Sequence, residues 1–130
     1  MTELLRMILE SYDGVTPPMR VQTDLSAARA PSYAVSQKGA KVTAEDILGR
    51  KSGTATFALY MRRVSASEKD RQGAHAFLQK LGDWLTTREG IGTNKQKILR
   101  IEVNPPALQE AYDDGTAVWS MEIRLFCEDI

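Results

Sequence analysis

With one cysteine and one histidine, this chain lacks the residues that most metal and nucleophile chemistry requires. Cys127 has no partner for an internal disulfide, and with His75 it supplies only half of a closed four-ligand zinc site. Hydrolytic triads and cysteine proteases also need a histidine beside a nucleophile. His75 falls beside the apolar stripe of a predicted helix, where it reads as a boundary residue. Cys127 ends an alternating run with no helix start or basic cluster nearby, so it reads as a small buried apolar group rather than a reactive thiol. The expectation is a protein without catalytic residues, metal or cofactor, in which stoichiometric bound zinc is not found.

Net charge is also missing, since 17 basic side chains cancel 17 acidic ones. A chain without a basic excess forgoes the general attraction to phosphate on which nucleic-acid binders rely, so specific nucleic-acid binding is not expected. Lys38, Lys41, Arg50 and Lys51 form a local basic group, interrupted by Glu45 and Asp46. No apolar run approaches the roughly 20 residues of a membrane span. Met1 to Glu10 carry Glu3 and Arg6 within their apolar pattern and no small-residue cleavage site, so they do not read as a signal peptide, and the protein is expected in the cytoplasm where it is made. Aromatic residues make up only 7% of the chain. Trp84 and Trp119 fall on predicted core faces, which suits packing better than base stacking.

The 130 residues suit one domain, 1–130, with one core. Leu5, Ile8, Leu9 and Tyr12 recur at helical spacing and predict a short helix over Thr2 to Tyr12. Asp13-Gly14 ends it, and Thr16-Pro17-Pro18 makes a stiff connector. A short strand is expected around Arg20 to Thr23, followed by an aperiodic stretch from Asp24 to Ser32. Ser32 to Gln37 and Lys41 to Ile47 suggest brief strands. Gln37 to Thr54, with Gly39, Gly49 and Gly53 among charges, reads as a long protruding excursion that orders only against a partner.

Thr54 to Val64 alternates Phe57, Leu59 and Met61 with Ala58, Tyr60 and Arg62, which predicts a strand with one apolar face. Ser65 and Ser67, with Glu68 and Asp70 behind them, are capping signals for a helix running to about Thr87. Its buried stripe is Ala74, Phe77, Leu78, Leu81, Trp84 and Leu85, and Gly73 and Gly82 weaken it or permit close packing. After a turn over Arg88 to Asn94, Lys97 to Val103 reads as a strand with Leu99, Ile101 and Val103 on one side and Ile98, Arg100 and Glu102 on the other. Pro105-Pro106 closes it. Ala107 to Tyr112 reads as a linker and Asp113-Asp114-Gly115 as a turn. Thr116 to Glu128 carries the longest alternation, with Ala117, Trp119, Met121, Ile123, Leu125 and Cys127 on one face and Thr116, Val118, Ser120, Glu122, Arg124 and Phe126 on the other. The fold class expected is α+β: a two-layer sandwich, mainly an antiparallel sheet, with one long helix and a short N-terminal helix packed on one face.

Two motif fragments fail on inspection. Lys51-Ser52-Gly53-Thr54 looks like the lysine triad of β-lactamases, but the serine-x-x-lysine helix those enzymes need is absent. Gly49-Arg50-Lys51-Ser52 looks like the end of a phosphate loop, yet Ala44 stands where the first glycine belongs. Asp113-Asp114 and the Glu68/Asp70 pair already serve a turn and a helix start.

The order of elements carries a resemblance. The helix Leu4-Leu5-Arg6-Met7-Ile8-Leu9 comes first, followed by the strand Phe57-Ala58-Leu59-Tyr60-Met61-Arg62. Ser65 to Glu68 then lead into a helix ending in Trp84-Leu85. Ile101-Glu102-Val103, Asp114-Gly115 and the closing strand Trp119 to Phe126 complete the series. In this order the chain resembles the small minor capsid or tail-terminator proteins of tailed bacteriophages. The likeness covers most of the chain, and Val21 to Ser52 contribute little to it. It implies a virion protein of the tail or neck region, made in the host cytoplasm. Such proteins close into a ring, usually a hexamer, on the head-proximal end of the tail tube. The ring stops tube growth, so the implied partners are further copies of the chain, the tail tube protein and the head-tail connector proteins. Neither a membrane nor a cofactor is implied. Another neck or tail-completion role is the alternative, and a small-ligand-binding or enzyme-subunit domain is the rival from a different class. Ala58, Tyr60, Val118 and Phe126 interrupt an otherwise polar face, so the expected subunit interface is Tyr60, Arg62, Val118, Glu122, Arg124 and Phe126. Lys38, Lys41, Arg50 and Lys51 are the expected assembly loop.

Overall fold

The computed structural model describes residues 2–14, 19–22, 32–45, 51–88, 90, 92 and 97–128. Thr16-Pro17-Pro18, the aperiodic stretch from Asp24 to Pro31, Arg50 and most of the turn between Arg88 and Asn94 lie outside the described residues. In chain order the elements are α1 (Thr2–Glu10), β1 (Val21–Gln22), β2 (Ser32–Glu45), β3 (Lys51–Val64), α2 (Glu68–Leu85), β4 (Lys97–Val103), β5 (Ala107–Ala111) and β6 (Thr116–Glu128). The fold is α+β, with two helices and a six-stranded sheet ordered β1-β2-β3-β6-β4, to which β5 adds along β6.

The sheet is built around β3 and β6, whose apolar/polar alternation is the cleanest in the sequence. They pair antiparallel without interruption from Ser52↔Glu128 to Val64↔Thr116. A side-chain period of two then sends Phe57, Leu59 and Met61, with Trp119, Met121, Ile123 and Leu125, to one face. That face, the apolar side of α1 (Leu4, Leu5, Ile8, Leu9) and the buried stripe of α2 (Ala74, Leu78, Leu81, Leu85) form one hydrophobic cluster. Phe77 and Trp84 pack against the cluster and stay partly exposed. Gly82 is the close approach in α2, because a Cβ there would meet the Val103 Cγ1 at 3.1 Å. Cys127 is buried within the cluster, where loss of solvation pushes its thiol up to about 11. The folded protein is therefore expected to react with iodoacetamide at pH 8 about a hundredfold more slowly than the unfolded chain, because two pH units of pKa remove that factor of thiolate. Equal alkylation rates, followed by mass spectrometry, would show that the thiol is not held in the core.

α2 starts where the sequence signals place it. The Ser67 hydroxyl accepts from the Asp70 N–H at 3.1 Å while the Asp70 carboxylate accepts from the Ser67 N–H at 3.4 Å, a reciprocal capping box. Ser65 has a different task from the cap expected of it. It is buried, accepts from the Trp119 indole N–H at 3.2 Å, and its own N–H donates to the Gly115 carbonyl at 2.8 Å. It thereby ties the end of β3 to the start of β6.

Four expectations change. Of the expected excursion, the described residues are strand: β2 runs through Glu45, so the strand expected from Lys41 holds to there, β3 begins at Lys51, and the two pair antiparallel, while residues 46–50 lie outside the described residues. Register shifts at Gln37/Gly39 and Val42/Ala44 break the alternation, and Gln37, Lys38, Gly39, Ala40, Lys41 and Val42 are all exposed. Backbone pairing holds such a strand without leaving an apolar period. Ala107 to Ala111 is strand β5 instead of a linker, its side chains exposed throughout. In β4 a register shift at Ile98/Arg100 puts Ile98 and Ile101 together in the core and leaves Leu99 40% exposed. The first helix ends at Glu10, two residues earlier than its spacing suggests.

Candidate subunit interface

The second sheet face is fixed by register. Alternation along β3 and β6 places Thr54 opposite Phe126, Thr56 opposite Arg124, Ala58 opposite Glu122, Tyr60 opposite Ser120 and Arg62 opposite Val118. All six residues expected at the interface therefore share one face, along two neighbouring strands. β4 extends the row, since Arg100 pairs with Phe126 and Glu102 with Arg124.

These residues divide into two groups. At the end near the β5–β6 turn, Arg62 is already engaged within the subunit. Its side chain is 11% exposed, its Nη2 lies 3.1 Å from the Asp114 carboxylate, its Nε donates to the Thr116 hydroxyl at 3.0 Å, and its guanidinium lies 4.4 Å from the Tyr112 ring centre. Val118, directly opposite, is buried. Both are turned into their own subunit and offer little free surface, unlike the rest of the expected interface. Arg62 serves as a clamp on the turn, where the Gly115 N–H donates to the Tyr112 carbonyl at 3.2 Å. Gly115 has φ +85°, a left-handed backbone that glycine adopts at little cost.

The clamp has electrostatic consequences. Hydrogen bonds from the Thr116 hydroxyl and then the Thr116 N–H, followed by that from Arg62, hold the Asp114 carboxyl below the usual carboxylate range. The Tyr112 hydroxyl donates to the Glu110 carboxylate at 3.2 Å, which raises its pKa. Because the folded Asp114 pKa is lowered, its contribution is in place above the ordinary carboxylate range and is lost as pH falls through the folded value. Arg62→Ala is expected to cost about 1–2 kcal/mol through the lost Thr116 bond and ring contact, measured by urea unfolding at neutral pH. An unchanged midpoint would mean that the clamp contributes nothing.

Toward the other end the face is open. Tyr60 is half-buried with the Lys38 ammonium 5.5 Å from its ring centre, and Phe126 is half-buried with the Arg100 guanidinium 4.2 Å from its ring centre. Arg100, Glu102, Arg124 and Glu122 form an ion-pair chain, at 3.0 Å for Arg100–Glu102, 3.7 Å for Glu102–Arg124 and 3.4 Å for Arg124–Glu122. Exposed pairs of this kind add little stability each. They do fix the direction of two guanidiniums beside an aromatic ring. An open depression of about 500 Å³ lies next to them, lined by Gly39, Ala40, Lys41, Thr54, Thr56, Arg124 and Phe126.

Of the expected assembly loop, Lys38 and Lys41 lie exposed on β2 and Lys51 exposed at the start of β3, opposite Glu45. Arg100, Glu102 and the Tyr112/Asp114 clamp were not among the expected site residues. Arg100 and Glu102 were legible as charged neighbours two apart on β4, but only the β4–β6 register shows which residues of β6 they meet. Comparison with known protein families finds no match, and comparison with curated proteins finds none either.

Proposed function

We propose that this chain is the subunit of a phage tail-terminator ring, a two-layer α+β unit whose long and N-terminal helices cover one sheet face while the other takes part in contacts between copies. Six copies close head to tail on the head-proximal end of the tail tube. The ring stops tube growth and presents a surface to the head connector, with no catalytic step and no cofactor. The observation that carries the reading is the open end of the second face. Tyr60 and Phe126 are partly exposed there, each beneath a cation, in a band that also holds charges of both signs. A solvated sheet face has little need of two partly exposed aromatic rings, whereas subunit contacts are enriched in aromatics and arginine. Mixed charge suits a heterologous contact, in which one patch meets a different patch on the next copy and the rotation closes a ring.

The resemblance in element order supplies the tail and the ring size, and the gene neighbourhood offers an inexpensive check: a major tail protein encoded alongside supports the reading, and metabolic neighbours oppose it. The direct test adds the purified protein to growing tubes of that neighbouring tail protein. Electron microscopy is expected to show tubes capped at one end and no longer elongating. Tubes that keep growing with bare ends would overturn the assignment.

A further inference from the structure

α1 buries Leu4, Leu5, Ile8 and Leu9, yet carries the most exposed of the large hydrophobic side chains described, Met7 at 62%. Glu3, Met7 and Glu10 follow one another at spacings of four and three and so form a single stripe on the free side of the helix. Arg6 lies between the two carboxylates, 3.4 Å from Glu3 and 3.7 Å from Glu10, and leaves the stripe net negative. The Glu3 side chain is 81% exposed, so its pair with Arg6 is a weak surface contact, readily exchanged for another.

The depression on the second sheet face has the opposite pattern. Phe126 provides an apolar floor, with Lys41 and Arg124 at its margin and Lys38 beside it over Tyr60. Lys38 and Lys41 have no carboxylate partner among the described residues. The chain's own α1 cannot fill this depression, because its buried side belongs to the same cluster as Phe57 and Leu59, which point away from it.

We propose that the Glu3–Met7–Glu10 stripe of one copy seats in the depression of the next, with Met7 over Phe126 and the carboxylates toward Lys38, Lys41 and Arg124. This inference rests on the ring reading and names the two patches that meet. Because the patches differ, every subunit uses both, which is the condition for a head-to-tail ring.

The test reverses each patch separately and then mixes the variants. Glu3→Lys with Glu10→Lys, and Lys38→Glu with Lys41→Glu, are each expected to weaken self-association on the order of a hundredfold, as like charges meet across the contact. In an equimolar mixture the reversed stripe of one variant fits the reversed depression of the other, and the native patches fit each other. Sedimentation velocity should then show assembly recovered to within a few-fold of wild type as an alternating ring. Circular dichroism checks that each variant is folded. Should a reversal disturb the fold, Met7→Glu, at a position exposed in the subunit, is expected to weaken association at least tenfold alone. If wild type assembles but the mixture does not recover, or if any folded variant assembles as well as wild type, this contact is wrong and the ring stands. A wild type that stays monomeric even on tail tubes overturns both.

Discussion

Phe57→Ala is expected to cost about 3–5 kcal/mol, the range for removing a fully buried phenylalanine. Phe57 lies on the inner face of β3, opposite Ile123 of β6 and Gln37 of β2, with no exposed surface. The cost has two parts: the transfer free energy of the ring, and a cavity where the two central strands meet, whose uninterrupted pairing leaves the backbone little freedom to collapse. Thr56→Ser, one residue before Phe57 but on the partly exposed second face, should change stability by less than about 1 kcal/mol. Urea midpoints for the two variants measure the contrast. Equal midpoints would mean that the two faces of β3 are not inequivalent, and the assignment of core and contact face would fail.

The second large effect concerns assembly. Tyr60→Asp and Phe126→Asp are each expected to weaken self-association at least about thirtyfold, the effect of losing an aromatic hot spot worth 2 kcal/mol or more. The fold should survive, for a reason specific to these positions. Each ring already lies beneath a cation, Lys38 for Tyr60 and Arg100 for Phe126, so an introduced carboxylate finds a partner of opposite charge within its own subunit. Unchanged circular dichroism with a shifted sedimentation profile is the predicted pair of results. Arg62→Asp should behave differently, because it breaks the clamp on Asp114, Thr116 and Tyr112 and so acts on stability. Loss of assembly there without loss of stability would keep Arg62 in the interface.

Legibility in the sequence followed burial. β3, β6 and α2 were read correctly because each places one side in the core, which stamps its period of 2.0 or 3.6 on the apolar residues. Lys97 to Val103 was placed to the residue, yet its faces were not, because a bulge shifts the register after Ile98 and no single-strand pattern reveals a bulge. The continuity of β2, expected only as two brief strands over Ser32 to Gln37 and Lys41 to Ile47, and the whole of β5 were missed for the opposite reason. The side chains from Gln37 to Val42 and along β5 are exposed, and both features depend on backbone pairing to β3 and β6, which leaves no trace in hydrophobicity. The face itself was legible in Tyr60, Glu122, Arg124 and Phe126. Its internal division was not, because Arg62 is engaged by a turn 52 residues away in the chain, and Val118 is buried where β6 pairs with both β3 and β5.

The irregularities also restrict how copies can meet. Register shifts fall in the pairings of β2, β4 and β5, and none interrupts β3–β6. Bulges on outlying strands, lysines on β2 and Pro105-Pro106 between β4 and β5 are devices that discourage edge-to-edge sheet extension. They leave the open sheet face as the better place for a contact that closes.

The copy number of the wild-type particle tests the central claim most directly. Native mass spectrometry, from micromolar concentrations upward and on protein docked to its tail tube, is predicted to give one closed species of six subunits. A monomer at every concentration and on the tube, or an open-ended series of oligomers without a limiting size, would contradict it.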